Sequence, residues 1–292
     1  MKKNRVSLDR FLPDDTMCLA QLCIMEAPWF LPGVCKVSER RRTLDITAKR
    51  EQQLPRSAQN LRRVHTITDR FSMANTYLIN DASIIMIDPG SELNVRLALE
   101  YIQRFLHRTP ADIDLVVLTH LHPDHTAGVD LLRKTCHVPV AASAVVRDLA
   151  QAELQGHEVL PELTHVTGHI LPGALHHLDL FPPQYSRQVK MVDLWLEDVA
   201  GLPGHEDWRV IASPGHTPES LCLYNPFTYE LLCGDTVITL EGGAPLLRGS
   251  TNRRQLEDTV HTLRSLEVHY LYPGHGRPIL AMQPLSNVEV EW

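Results

Sequence analysis

The sequence predicts an α+β fold built in layers. Three observations carry that prediction. Short runs rich in β-branched and apolar residues recur along the chain. Two longer segments place apolar residues at helical spacing. Pro or Gly breaks the chain soon after most of the apolar runs. The 292 residues include 43% hydrophobic and 22% charged residues, enough to bury a core without disulfide staples.

Residues 1–60 show no sustained period and contain Pro13, Pro32 and Pro55. They read as an N-terminal extension, resting on the domain through Trp29, Phe30 and Leu31. The ordered domain spans 61–292. Val64 to Thr68 and Asn75 to Ile79 read as strands, and Ser83 to Asp88 as a buried one. Asp81-Ala82 is the hairpin turn between the last two, and Pro89-Gly90 ends the run. Asn94 to Leu106 reads as a helix because Val95, Leu97, Leu99, Ile102 and Phe105 repeat at helical spacing. Asp114 to Leu118 is another buried strand. A short helix at 128–134 and a strand at 138–141 follow, then a helix that Ser143 could cap. Residues 155–205 hold a surplus of His and Pro and read as a lid-like insertion. Strand patterns return at 208–212, 221–224, 230–233 and 270–272, with an amphipathic helix at 252–266. Each half thus holds strands and helices, which hints at a duplicated layout.

Bulk properties narrow the function. The net charge of -7 disfavours nucleic acid, whose binding relies on Lys and Arg. The basic run from Lys36 to Arg63 reads as a solvated arm. No apolar stretch is long enough to span a membrane, and Cys18 to Met25 is too short and interrupted for a signal. Six irregularly spaced cysteines point to a reducing compartment, so the expected location is cytoplasmic. Cys136, Cys222 and Cys233 read as small core residues.

The feature that carries chemistry is Thr119-His120-Leu121-His122-Pro123-Asp124-His125, directly after a buried strand. A strand end is a rigid platform. His120 and His122 alternate in an extended stretch and can point the same way, and Pro123 then turns Asp124 and His125 toward a second position. His nitrogens and carboxylate oxygens are the donors that zinc takes. The chain has 16 His, so a nearby pair is unremarkable, but this string is not. His65, His107 and His261 lack such a context and read as surface or core residues.

The HxHxDH string resembles the signature of the metallo-β-lactamase superfamily. Further segments match in order. Ser213-Pro214-Gly215-His216-Thr217-Pro218 looks like the family's Gly-His-Thr loop, and Leu231-Leu232-Cys233-Gly234-Asp235 like its Gly-Asp strand end. Tyr272-Pro273-Gly274-His275-Gly276 looks like its closing loop. Asn75-Thr76-Tyr77-Leu78 and Ile87-Asp88-Pro89-Gly90 look like its opening hairpin and Asp-containing turn. The resemblance covers about residues 64–280. It implies an αββα sandwich of two mixed sheets flanked by helices, with a glyoxalase II-like ligand set. His120, His122 and His216 would hold one metal ion, Asp124, His125 and His275 a second, and Asp235 would bridge them. The expected cofactor is two Zn2+, with iron or manganese as alternatives. Asp124 would also orient the attacking water, and Asp88 would either support the ligand loop or serve as a plain turn residue.

That resemblance implies a binuclear hydrolase in which a metal-bound hydroxide attacks the substrate. Asp235 argues against true β-lactamases, which usually lack the bridge. Ile238 stands where acyl-homoserine lactonases carry Tyr. Little chain follows His275, where glyoxalase-type thioesterases carry a glutathione-binding helical domain, and no inserted nuclease domain is evident. The apolar run Val189 to Leu196 reads as a pocket wall suited to an acyl or otherwise apolar small molecule, and Arg248 as a possible anion contact or a surface residue. The leading expectation is cleavage of a carboxylic ester, thioester or lactone. The alternatives are phosphodiester or RNA cleavage, iron-dependent oxygenation, and a catalytically idle binding protein.

Overall fold

The computed structural model describes residues 63–69, 74–157, 184–239, 244–247 and 249–290. The N-terminal extension, residues 158–183 of the expected lid, and Arg248 lie outside the described residues. The first half contains strands β1 (Val64–Thr68), β2 (Asn75–Asn80), β3 (Ile84–Ile87), β4 (Ile113–Val117), β5 (Val140–Ser143) and β6 (Leu194–Leu196). The second half continues with β7 (Gly201–Leu202), β8 (His205–Ala212), β9 (Leu221–Asn225), β10 (Glu230–Gly234), β11 (Ile238–Thr239), β12 (Pro245–Leu247), β13 (Tyr270–Pro273), β14 (Ile279–Leu280) and β15 (Glu289–Val290). Its helices are α1 (Glu92–Arg104), α2 (Pro123–Thr126), α3 (Val129–Cys136), α4 (Val145–Leu154), α5 (Tyr185–Gln188) and α6 (Arg253–Leu263).

Two six-stranded sheets result, ordered β1-β2-β3-β4-β5-β6 and β14-β13-β10-β9-β8-β7. Both are mixed. Antiparallel hairpins β1–β2–β3 lead into parallel β3–β4–β5–β6, and antiparallel β7–β8–β9–β10 leads into parallel β10–β13. The two sheets are the physical form of the duplicated layout. Strands β11, β12 and β15 add a small third sheet.

Alternation along the strands builds the layers. Tyr77 and Ile79 of β2, and Ile85 and Ile87 of β3, enter the core between the sheets with Trp208, Val210, Leu221 and Leu223. Leu78, Ile84 and Met86 face the other way, into a core with Val95, Ala98 and Ile102 of α1 and Leu132 of α3. On the far side, Cys222, Leu231 and Cys233 pack with Leu256, Val260 and Leu263 of α6. Both faces of each sheet are therefore covered, which is why β3 reads as a continuous apolar run. Full burial of each Val, Leu, Ile or Met among them stabilises by about 1.5–3 kcal/mol.

The expected strands and helices are present, with ends shifted by a few residues. Ser143 ends β5; Ala144 is the first cap of α4, although the Ser143 hydroxyl accepts from the Val145 amide at 3.3 Å. Cys136 is half-buried rather than enclosed. Of the apolar run expected to wall a pocket, Leu196 is core and the other apolar residues are half-buried against the core. Leu194–Leu196 is the edge strand β6, and Val189, Met191, Val192 and Trp195 pack on the helix side of the first sheet. A three-residue strand is too short to show its alternation in sequence.

Candidate metal centre

The strand directions place the candidate residues together. Strands β8 and β10 are each antiparallel to β9, and β10 is parallel to β13, so all three end at the same edge. His216, Asp235 and His275 lie in the loops that leave them. In the other sheet β4 ends beside them, and the Leu221 amide donates to the Thr119 carbonyl at 2.9 Å across the two sheets. His122 is the extended cap of α2, with Pro123 in its first turn and Asp124 and His125 within it.

All seven predicted residues converge and all are buried. His120, His122, His216 and Asp235 form one group whose donor atoms lie within 4.8 Å of one another, and Asp124, His125 and His275 form a second. In the first, His122 Nδ1 is 3.1 Å from His120 Nε2 and 3.2 Å from His216 Nε2. In the second, His275 Nε2 is 3.1 Å from Asp124 Oδ2 and 3.4 Å from His125 Nε2. Asp235 lies between the groups. Its Oδ2 is 3.6 Å from His216 Nε2 and 3.3 Å from His275 Nε2, and its Oδ1 is 3.5 Å from His125 Nε2.

Outer partners orient these rings. His216 Nδ1 donates to the Gly249 carbonyl at 2.9 Å, which turns Nε2 inward. Asp88 accepts from the Thr119 amide at 2.8 Å and hydroxyl at 2.6 Å, and holds His125 Nδ1 at 3.0 Å. Asp88 thus supports the ligand loop and is more than a turn residue. The opening hairpin grips the closing loop. Asn75 donates to the carbonyls of Pro273 and Gly276 at 2.9 and 2.8 Å, and the Tyr77 hydroxyl donates to Pro273 at 2.5 Å. Gly274 is required by close approach: a Cβ there would strike Asp235 Oδ1 and lie 2.9 Å from His125 Cε1.

The two groups differ electrostatically. Burial, reinforced by the neighbouring imidazoles, pushes His120 well below the usual histidine value. Burial also lowers His122, to about 3. In the second group burial is outweighed. The carboxylates of Asp235, Asp124 and Asp88 hold His125 well above the ordinary value, and Asp235 and Asp124 raise His275 to about 10. Burial would raise Asp124, but His125 and His275 hold it at about 2. The same two rings hold Asp235 well below the carboxylate range against its burial. Asp124 Oδ1 and Asp235 Oδ1 are buried without a hydrogen-bond partner. Such oxygens are costly in a folded protein unless a cation meets them. The donor set therefore fits metal ions: imidazole nitrogens and carboxylates in two adjoining groups.

Sequence reasoning missed several supports. Glu219, Tyr185 and Gln188 surround the ligand loop; Tyr185 and Gln188 fall in the stretch expected as a lid, and Glu219, just before an apolar strand, was missed. Among the described residues, the other histidines lie outside these donor groups. His65 lies beside Tyr101, with Tyr101 Oη 3.0 Å from its Nδ1, and His261 sits on α6.

An αββα sandwich with His and Asp donors gathered on one edge defines a class of metal-dependent enzymes. Residues 69–275 match the family described as "Metallo-beta-lactamase superfamily". A probable metallo-hydrolase, YqjP of Bacillus subtilis, is 26% identical over 72% of this chain and 69% of its own length. The atrochrysone carboxyl ACP thioesterase of Aspergillus fumigatus is 26% identical over 74% of this chain and 55% of its own. A solved metallo-beta-lactamase from Pontibacter korlensis shares the fold, with TM-score 0.51 and 17% identity over 73% of this chain and 83% of that one. The chain belongs to the metallo-beta-lactamase superfamily, and it is a metal-dependent hydrolase. Among the described residues, no helix is long and apolar enough to cross a membrane.

Proposed function

We propose that this chain is a binuclear hydrolase that cleaves a carboxylic ester, thioester or lactone of a small, partly apolar molecule. One observation carries the binuclear reading: Asp235 lies between two adjoining donor groups, within 3.6 Å of His216, His125 and His275. His120, His122 and His216 would hold one ion, and Asp124, His125 and His275 the other, with Asp235 shared; zinc is the metal this donor set suits. When bound, the ions supply a Lewis acid and a water acidic enough to attack at neutral pH. Asp124 would orient that water and accept its proton. Asp88 keeps His125 turned into the site, and Gly249 does the same for His216. The thioesterase among the relatives supports an acyl substrate. The thiols of Cys136, Cys222 and Cys233 are free, which fits the cytoplasmic setting we propose.

Elemental analysis of protein purified without added metal tests the centre, followed by thioester, lactone and phosphodiester assays. About two zinc ions per chain with thioester or lactone turnover is the expected result. A single ion per chain would defeat the binuclear reading, and turnover confined to phosphodiesters would defeat the acyl one.

A further inference from the structure

Leu121 separates the two histidines that open the ligand string. The sheet cannot hold it. The last sheet-type bonds here are Leu118 to Ala141 and Leu221 to Thr119, and the helical bonds of α2 begin with His125 and Thr126 donating to the His122 carbonyl. Leu121 falls in the gap between them and is fully buried. Its peptide groups must therefore find side chains, because a buried peptide group left unpaired costs about 1–3 kcal/mol.

Three side chains meet that need. Glu219 Oε1 accepts from the Leu121 amide at 3.2 Å. Gln188 Nε2 donates to the Leu121 carbonyl at 2.7 Å. The Tyr185 hydroxyl donates to Glu219 Oε2 at 2.7 Å. Glu219 and Tyr185 are both buried, and this carboxylate lies outside the donor groups. Glu219 comes from the turn after His216, whereas Tyr185 and Gln188 stand one turn apart on α5. The clamp thus ties the loops of both sheets to α5.

We propose that Glu219, Gln188 and Tyr185 are positioning residues of the metal centre. They fix the Leu121 peptide planes, and through them the angle between the His120 and His122 rings. The geometry explains the effect. The peptide before Leu121 carries the His120 carbonyl carbon, and the peptide after it carries the His122 nitrogen. Turning either plane swings one ring relative to the other, and a metal site tolerates little such error. This inference rests on the reading of His120 and His122 as ligands.

The test is cobalt(II) titration of the metal-stripped full chain, followed by its visible ligand-field absorption, with thermal melts alongside. Glu219→Ala should weaken the first equivalent roughly 10–100-fold, the range typical of outer partners of a metal site, and shift its bands. Glu219→Gln keeps an oxygen for the Leu121 amide and should restore most of both. Gln188→Ala and Tyr185→Phe should each shift the bands with a smaller loss of affinity. These two variants carry the test if Glu219→Ala does not fold. Folded variants that all keep wild-type affinity and bands, even with lower melting temperatures, would overturn the proposal and leave the metal reading standing. Wild-type protein that takes up no cobalt would overturn that reading, and this one with it.

Discussion

The two donor groups are built from similar residues but differ in the protonation of their rings. In the group of His120, His122 and His216, burial keeps the first two rings neutral. In the group of Asp124, His125 and His275, carboxylates hold both rings protonated. The cause is the ratio of acids to imidazoles. Asp124 and Asp235 face His125 and His275, and Asp88 adds a third carboxylate behind His125. The first group contains one carboxylate, Asp235, beside three rings, and burial outweighs it even with Asp88 close to His120 and Asp124 acting on His122. A cation entering the first group meets free lone pairs on His120 and His122. A cation entering the second must displace protons, since only the neutral imidazole is a ligand.

Removing the shared residue should break the comparison most completely. On the proposed reading, Asp235→Ala takes a donor from both groups at once. We expect loss of at least one metal ion per chain and a fall in activity of at least roughly 100-fold, beyond what outer partners contribute. Circular dichroism should stay native, because Asp235 sits in a loop past β10 and not in a core cluster. Full metal content and full rate in this variant would show that Asp235 bridges nothing.

Acid should separate the groups instead of abolishing both. At pH 6 His120 and His122 are already deprotonated and the first group should load, while the second competes with protons on His125 and His275. Its apparent affinity should rise about tenfold per pH unit for each proton displaced, up to the value of about 10 for His275. The stripped protein carries the same signature in its stability. His122, lowered to about 3, contributes stability that is present above its unfolded value and lost as pH falls from about 6.5 toward 3. His275 contributes stability that is present below its unfolded value and lost as pH rises toward 10. Melting temperature should therefore peak near neutrality in the stripped protein. Metal content measured at pH 6 and pH 8 checks the loading order, and simultaneous filling at both would remove the distinction.

A smaller and more selective effect is expected from Asp88→Asn. Asn tolerates the positive φ of 49° at this position and keeps an acceptor for the Thr119 amide. It loses the negative charge behind His125. Affinity at the second group should change by roughly 10-fold, toward the lower end for an outer partner, with the first group moved less. Equal changes at both groups would mean that Asp88 acts only through Thr119, whose hydroxyl also lies 3.1 Å from His120 Nδ1.

How legible these features were in the sequence depends on how each is encoded. The seven converging His and Asp residues were legible because each follows a strand and lies within two positions of Pro, Gly or another of the seven, so local grammar and spatial placement coincide. The layers were legible because β3 is apolar on both faces, and β4 is too apart from Asp114. The clamp around Leu121 was not. Gln188 and Leu121 are 67 positions apart, and a single hydrogen bond between distant residues leaves no period in the chain. The small strands β7, β11 and β14 have two residues each, too few to alternate, and tertiary pairing alone defines them.

The smallest effect should come from a histidine that looks no different in composition. His65 sits on β1, beside Tyr101 of α1, with ring centroids 5.4 Å apart and the Tyr101 hydroxyl 3.0 Å from Nδ1. It belongs to the helix-facing contacts of the first sheet and to neither donor group. His65→Ala removes one hydrogen bond and some packing between half-buried groups, so a loss of about 1 kcal/mol in stability is expected. Metal content and kcat/KM should stay at wild-type values. Abolished activity in a folded His65→Ala protein would mean that the functional histidines are not the ones gathered at the sheet edge. The division of the centre into two unequal halves would then have to be redrawn around β1.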